Sequence, residues 1–304
     1  MDSGVALFSS SIVAFSLLVN SGYHEKSVPA PQSAKASTSS KKSQDEITTK
    51  DLFDPIKWNS RLKEKYNSCV YLDYNATTPV FPEVGEAMLP FLTSCFGNPS
   101  SPHVFSKPCR EAVASARTLV GALVNAPNPS NTILFTSCGS ESDNWAIDIA
   151  VHHFHTQPNR TLTSLPHVIS CITEHPAILS YLRVLESKGA ITLTTLNVDS
   201  EGFLHLDDLR SALQINTALV SIMHSNNEIG TLQPIRDISR AIAQFNAAHA
   251  VEGAHVLFHS DAAQSLGKVP VDVEVLGVDM LSIVGHKYGA PKGISALFVR
   301  DNIR

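Results

Sequence analysis

A lysine and an aspartate, each closing an apolar run, are the residues here with the clearest chemistry. Lys287 ends Ser282-Ile283-Val284-Gly285-His286-Lys287, and the run Val256-Leu257-Phe258 ends in His259-Ser260-Asp261-Ala262-Ala263-Gln264. A lysine amine condenses with an aldehyde to an imine. A carboxylate at the neighbouring strand end holds a proton on an aromatic ring nitrogen, so that the ring accepts electrons. That pairing predicts a site for pyridoxal 5'-phosphate (PLP). Lysines are ordinarily surface residues, but Lys287 follows a buried run and precedes Gly289, Pro291 and Gly293. An acid after a buried strand is costly unless a cation meets it, and His286-Lys287 supplies one.

The elements that must position these residues alternate in type. From about Cys69 onward, strands predicted near Thr132–Thr136, His167–Ile172, Ile191–Leu196, Leu219–Met223, Val256–Phe258, Met280–Val284 and Ile294–Val299 are separated by helical stretches. The helices are expected at Pro82–Phe91, Phe105–Val124, Ser140–His155, Pro176–Gly189, Leu206–Leu213 and Ile235–Ala248. Such alternation predicts an α/β fold: a mostly parallel sheet sandwiched by helices, with ligands beyond the carboxyl ends of the strands.

Other polar clusters fall at those ends. Thr136-Ser137-Cys138-Gly139-Ser140-Glu141 opens a helix. It reads either as a phosphate cradle, with Gly139 permitting close approach and Ser140 adding a donor, or as an ordinary helix start. Thr173-Glu174-His175 offers a ring to stack on a flat cofactor and relay protons, or a helix cap. In Ser225-Asn226-Asn227-Glu228-Ile229-Gly230, Asn227 could meet a phenolic oxygen, or the segment is an Asn/Gly turn. His152, His153 and His155 read better as a polar helix face than as metal ligands, and no metal is expected.

Composition excludes several classes. Hydrophobic residues make up 43% of the 304, enough for a sizeable core, and the net charge of −5 offers no basic field for nucleic acid. The five cysteines, Cys69, Cys95, Cys109, Cys138 and Cys171, form no Cys-x-x-Cys pair, which fits a reducing, intracellular compartment. Residues 1–68 read as an extension. Val5 to Val19 is interrupted by serines and shorter than the roughly 20 residues of a membrane span, so no stable span is expected. Residues 33–50 read as a solvated linker. The extension is a targeting segment or a plain tail, which leaves cytoplasm, mitochondrion and plastid open.

Together, Tyr71-Leu72-Asp73-Tyr74-Asn75-Ala76-Thr77-Thr78-Pro79, Gly97-Asn98-Pro99-Ser100-Ser101, Thr136 to Asn144, Thr173-Glu174-His175, Asn226 to Gly230, Asp261 to Gln264 and Gly285-His286-Lys287 resemble the cysteine desulfurases. These are PLP enzymes of the class V aminotransferase group, and Val284 with His259-Ser260 is similar to their selenocysteine lyase branch. The resemblance implies a fold like the large domain of aspartate aminotransferase over residues 69–304. It implies Lys287 as the lysine bound to PLP, His175 as the stacking and proton-transferring ring, and Asp261 at the ring nitrogen. Gln264 and Asn227 would address the ring oxygen, and Gly139, Ser140 and His286 the phosphate. The substrate implied is cysteine, yielding alanine and persulfide sulfur, or selenocysteine. A homodimer and a sulfur-acceptor protein are the implied partners.

The match has departures. The family's sulfur-accepting cysteine lies on a loop well past Gly-His-Lys, and its small C-terminal domain follows. The expectation is that this chain, ending at Arg304, lacks both, turns over weakly or not at all, and exposes an apolar patch. Val284 stands where many members have a phosphate-binding serine, and Tyr288-Gly289-Ala290-Pro291 reorders the following turn. Two other readings are a non-catalytic PLP-fold protein that binds or regulates, and another class V aminotransferase. The Asn226-to-Gly230 and Asp261-to-Gln264 patterns favour the desulfurase branch over the latter.

Overall fold

Strands covered on both faces lose the alternation of apolar and polar residues, and runs such as Met280–Val284 and Ser295–Val299 are buried at every position. The computed structural model describes residues 70–157, 165–253 and 255–303; the extension 1–68 and its targeting and linker readings lie outside them. The chain divides into two units. Of the unit Tyr23–Tyr74, Val70–Tyr74 is described: Tyr71 donates to the Asp73 carbonyl at 2.8 Å and meets Tyr74 edge-on.

The other unit contains α1 (Pro82–Thr93), α2 (Lys107–Leu123), α3 (Pro129–Thr132), β1 (Ile133–Thr136), α4 (Gly139–Thr156), β2 (His167–Cys171), α5 (Pro176–Ser187) and β3 (Thr192–Leu196). It continues through α6 (Leu206–Ala212), β4 (Thr217–Ser221), α7 (Ile235–Ala248), β5 (Leu257–Asp261), α8 (Val273–Leu276), β6 (Met280–Val284) and β7 (Ser295–Val299). Among the described residues the strands form one sheet in the order β1-β7-β6-β5-β4-β2-β3. Its pairs are parallel except where β7 lies antiparallel between β1 and β6.

Successive strand residues serve opposite cores, as a two-residue period requires. Val168, Leu219, Leu257, Met280 and Leu297 pack with Ala146, Ile147 and Ala150 of α4 and Ile178 and Leu182 of α5. Their neighbours Ile169, Val220, Phe258, Leu281 and Phe298 pack on the other face with Val120 of α2, Leu209 of α6 and Ile235, Ile238 and Ile242 of α7. The expected sandwich of helices on a mostly parallel sheet is therefore present.

β4 begins two residues earlier than its apolar run predicts. Thr217 is buried because its hydroxyl meets His167 Nδ1 at 2.9 Å, which makes a polar residue tolerable inside the strand. The start of the chain behaves differently. In α1 only Val84 is buried, and Leu89, Leu92, Phe96, Val104 and Phe105 are exposed. No helix among the described residues is long and apolar enough to cross a membrane.

Candidate active site

β5 and β6 lie side by side, with Asp261 opposite Ser282, so the residues leaving both strands reach one rim. The chain turns through a 3₁₀ turn, Gly285–Lys287, directly after β6. Lys287 Nζ donates to the carbonyls of Asn75 (2.8 Å) and Ala76 (3.0 Å). The same Asn75 carbonyl accepts from Gln264 Nε2 at 2.8 Å. Lys268 Nζ joins Gln264 Oε1 (2.7 Å) to Asn75 Oδ1 (3.1 Å). Both ends of the Gln264 amide are thus engaged within the chain. Burial and the nearby Lys287 charge push the Lys268 ammonium down.

Asp261 is 6% exposed and accepts the Ala263 N–H at 2.8 Å. Burial raises its carboxyl; the Ala263 N–H, His175 and Lys287 pull it back down. Lys287 and Asp261 thus sense each other electrostatically from adjacent strand ends.

The turn after β6 is fixed by the segment following Asn75. His286 Nδ1 lies 3.0 Å from Thr77 Oγ1, and Thr78 bonds the His286 carbonyl through both its N–H and its hydroxyl. Burial, Lys287 and Lys292 hold His286 below the usual histidine range. The reordered Tyr288-Gly289 turn depends on Gly289, at φ +95°. A Cβ there would lie 2.3 Å from the Phe81 ring, so no side chain fits.

The start of α4 meets the same rim. Ser137, Cys138 and Ser140 are exposed, and Glu141 accepts from the Ser137 N–H and hydroxyl, tying down the entry to the helix. A Cβ on Gly139 would stand 2.7 Å from Val284 Cγ2. Val284 therefore packs against the backbone at the start of α4. His175 is exposed at the N-cap of α5, where its Nδ1 accepts the Ala177 N–H at 3.1 Å. In the 225–230 turn, Asn226 is the structural member. Its Nδ2 donates to Thr173 O, and its Oδ1 accepts from the Glu228 and Ile229 N–H groups. Asn227 is half-buried, and its carbonyl accepts from Asn75 Nδ2 at 3.1 Å.

His152, His153 and His155 lie on α4, where His153 Nε2 is 3.1 Å from His255 Nδ1 and 2.8 Å from Gln157 Nε2. Among the described residues no group of three or more His, Cys, Asp or Glu could hold a metal ion.

Residues 70–304 match the family model of the class-V aminotransferases. This chain is a class-V aminotransferase family member. A cysteine desulfurase of Nostoc sp. is 45% identical over 237 residues, covering 78% of this chain and 54% of that protein. The cysteine desulfurase IscS of Dictyoglomus turgidum is 44% identical over 235 residues, covering 77% and 55%. Among solved structures, a NifS-like protein superposes with a TM-score of 0.69 at 35% identity, covering 77% of this chain and 60% of that one. SspA in complex with cysteine gives 0.67 at 37%, covering 77% and 62%. This class-V chain spans about half the length of the curated relatives it matches. The family is PLP-dependent.

Several residues of this rim and of the layer beneath it were not singled out by sequence. Lys268 follows Gln264 at i+4, a spacing that brings side chains together over one turn. Asp143 sits on the α4 stripe with Ala146, Ile147 and Ala150, so an acid on a core-facing stripe was its signal. Glu174 was read only as part of a triplet. It is buried, and one oxygen accepts the Met223 N–H.

Proposed function

We propose that this chain forms the cofactor-binding part of a PLP-dependent cysteine desulfurase. The observation that carries the reading is Lys287 leaving β6 beside the buried Asp261 of β5, in a chain 45% identical to a cysteine desulfurase. The donor set fits PLP group by group. Lys287 suits the aldehyde and Asp261 the ring nitrogen, while Asn227 and Gln264 suit the phenolic oxygen, Gln264 by exchanging its bond to the Asn75 carbonyl. The first amides of α4, with Ser140 and His286, suit the phosphate, and Gly139 lets that backbone lie directly on Val284.

When bound, PLP supplies an electron sink for the amino acid attached to it. The residues of the chain do the rest. The Asn75 and Ala76 carbonyls orient Lys287 Nζ, the nucleophile for the aldehyde carbon. Asp261 holds a proton on the ring nitrogen, and its burial strengthens that bond. His175 receives the Ala177 N–H on Nδ1, so the neutral ring carries its proton on Nε2, the atom left to exchange protons with substrate. The substrate we infer is cysteine. A cysteine thiolate would take its sulfur as a persulfide, the substrate Cβ–S bond breaking with its electron pair left on the carbon that is protonated to alanine. The sulfur would then pass to an acceptor protein, and the working form is a homodimer.

The test mixes the purified chain with PLP. The wild type turns yellow, and Lys287→Ala loses the visible band while keeping its far-ultraviolet dichroism. A folded wild type that stays colourless overturns the reading. Alanine release from cysteine then measures turnover.

A further inference from the structure

Behind the rim lies a buried polar layer that the proposed chemistry does not use. Leu257 and Met280 pack towards α4, so by alternation His259 and Asp261 of β5 and Ser282 of β6 face α4 as well, as does Ser221 of β4 beyond Leu219. His259 Nδ1 lies 2.9 Å from Ser221 Oγ, and its Nε2 lies 3.0 Å from Ser282 Oγ. Asp143 descends from α4 onto this layer, with Oδ1 3.8 Å from His259 Nε2, beyond hydrogen-bond reach. Asp143 is 2% exposed, and its Oδ1 has no hydrogen-bond partner among the described residues.

Two buried carboxyls facing one dry layer cannot both carry charge cheaply, and Asp261 accepts a backbone N–H while Asp143 Oδ1 has no partner among the described residues. The surroundings decide which one does. Asp261 has the Ala263 N–H, His175 and Lys287 to favour its anion. Asp143 has Ser282 in its favour. Against it stand burial, Asp261 from β5, Glu174 from the loop after β2 and Cys138 from its own helix start. His259 is kept neutral by burial and adds no positive charge. We propose that Asp143 is a positioning residue for Asp261, a carboxyl that stays protonated under the strand ends so that Asp261 carries the negative charge offered to the rim. This rests on the proposed role of Asp261 at a ring nitrogen. If Asp143 surrendered its proton, the layer would gain a second anion behind Asp261, at the cost that burial puts on an unpaired charge.

Infrared difference spectroscopy of the cofactor-free chain at neutral pH tests the protonation directly. Wild type minus Asp143→Asn is expected to show the loss of one protonated-carboxyl stretch; loss of a carboxylate band in its place overturns the proposal. Should Asp143→Asn fail to fold, Ser282→Ala carries the test. It removes a hydroxyl of the layer and leaves both carboxyls in place, so the protonated-carboxyl band must still be present at neutral pH. A carboxylate band in its place at neutral pH overturns the proposal. Asp261→Asn separates the two ideas. Unweakened PLP binding in that variant counts against the proposed function and leaves the Asp143 infrared result standing.

Discussion

The ends of β5 and β6 and the start of α4 meet one rim, but the first is dry and the second is wet. Asp261 and His259 are 6% and 0% exposed, whereas Ser137, Cys138 and Ser140 stand in solvent. At the dry end, polar groups are answered by named partners or driven to their neutral forms, since water cannot replace what is lost. At the wet end, water can substitute for a missing donor. Charge selection therefore belongs to β5 and β6, and the α4 start contributes shape and exchangeable hydrogen bonds.

Substitutions should follow that division. Asp261→Asn removes a charge from the dry end. It should weaken PLP binding by roughly 30- to 100-fold, about 2–3 kcal/mol for a lost charge-assisted hydrogen bond, read by absorbance titration. A loss as small as that at Ser140 would erase the contrast.

His259 tests the dry end through pH. Burial lowers it to about 3, below its value of about 6.5 when unfolded. Only the unfolded chain then takes up a proton as pH falls from about 6.5 towards 3, so stability is present above that window and lost within it. Wild type should lose up to about 1.4 kcal/mol per pH unit more than His259→Gln across the upper part of the window, measured by urea unfolding.

Gly139→Ala places a methyl against Val284 and should cost about 1 kcal/mol of stability, at the low end of overpacking penalties. Adding Val284→Ala should recover most of it in the same unfolding assay. Ser140→Ala, at the wet end, should weaken PLP binding only two- to fivefold, about 0.5–1 kcal/mol.

Most of the framework was legible because burial on both faces leaves a plain signature. Runs such as Val168–Cys171 and Met280–Val284 have no polar face to obscure them, and Pro82 and Pro176 mark helix starts. Lys287, Asp261, Gly139 and His175 stood out because polar residues at the ends of apolar runs need a reason. Other contacts were hidden for a physical cause. The loop of Asn75, Thr77 and Thr78 bonds His286 and Lys287 across some two hundred positions, and no local pattern encodes such a meeting. Thr217 looked too polar for a strand interior, because its partner His167 lies on a different strand. Asp143 broke an apolar stripe, but its neighbours on β5 and β6 come together only when the sheet forms.

β7 runs backwards between β1 and β6, and this inserts one strand's width twice over between the two exits that face the rim. At roughly 4.8 Å per step, Thr136 and Val284, both opposite Ser295, are held about 10 Å apart, and the chain after Thr136 crosses that gap to lay Gly139 on Val284. The inserted strand thus acts as a ruler between the ends of β1 and β6, set by backbone pairing, which side-chain substitutions do not alter.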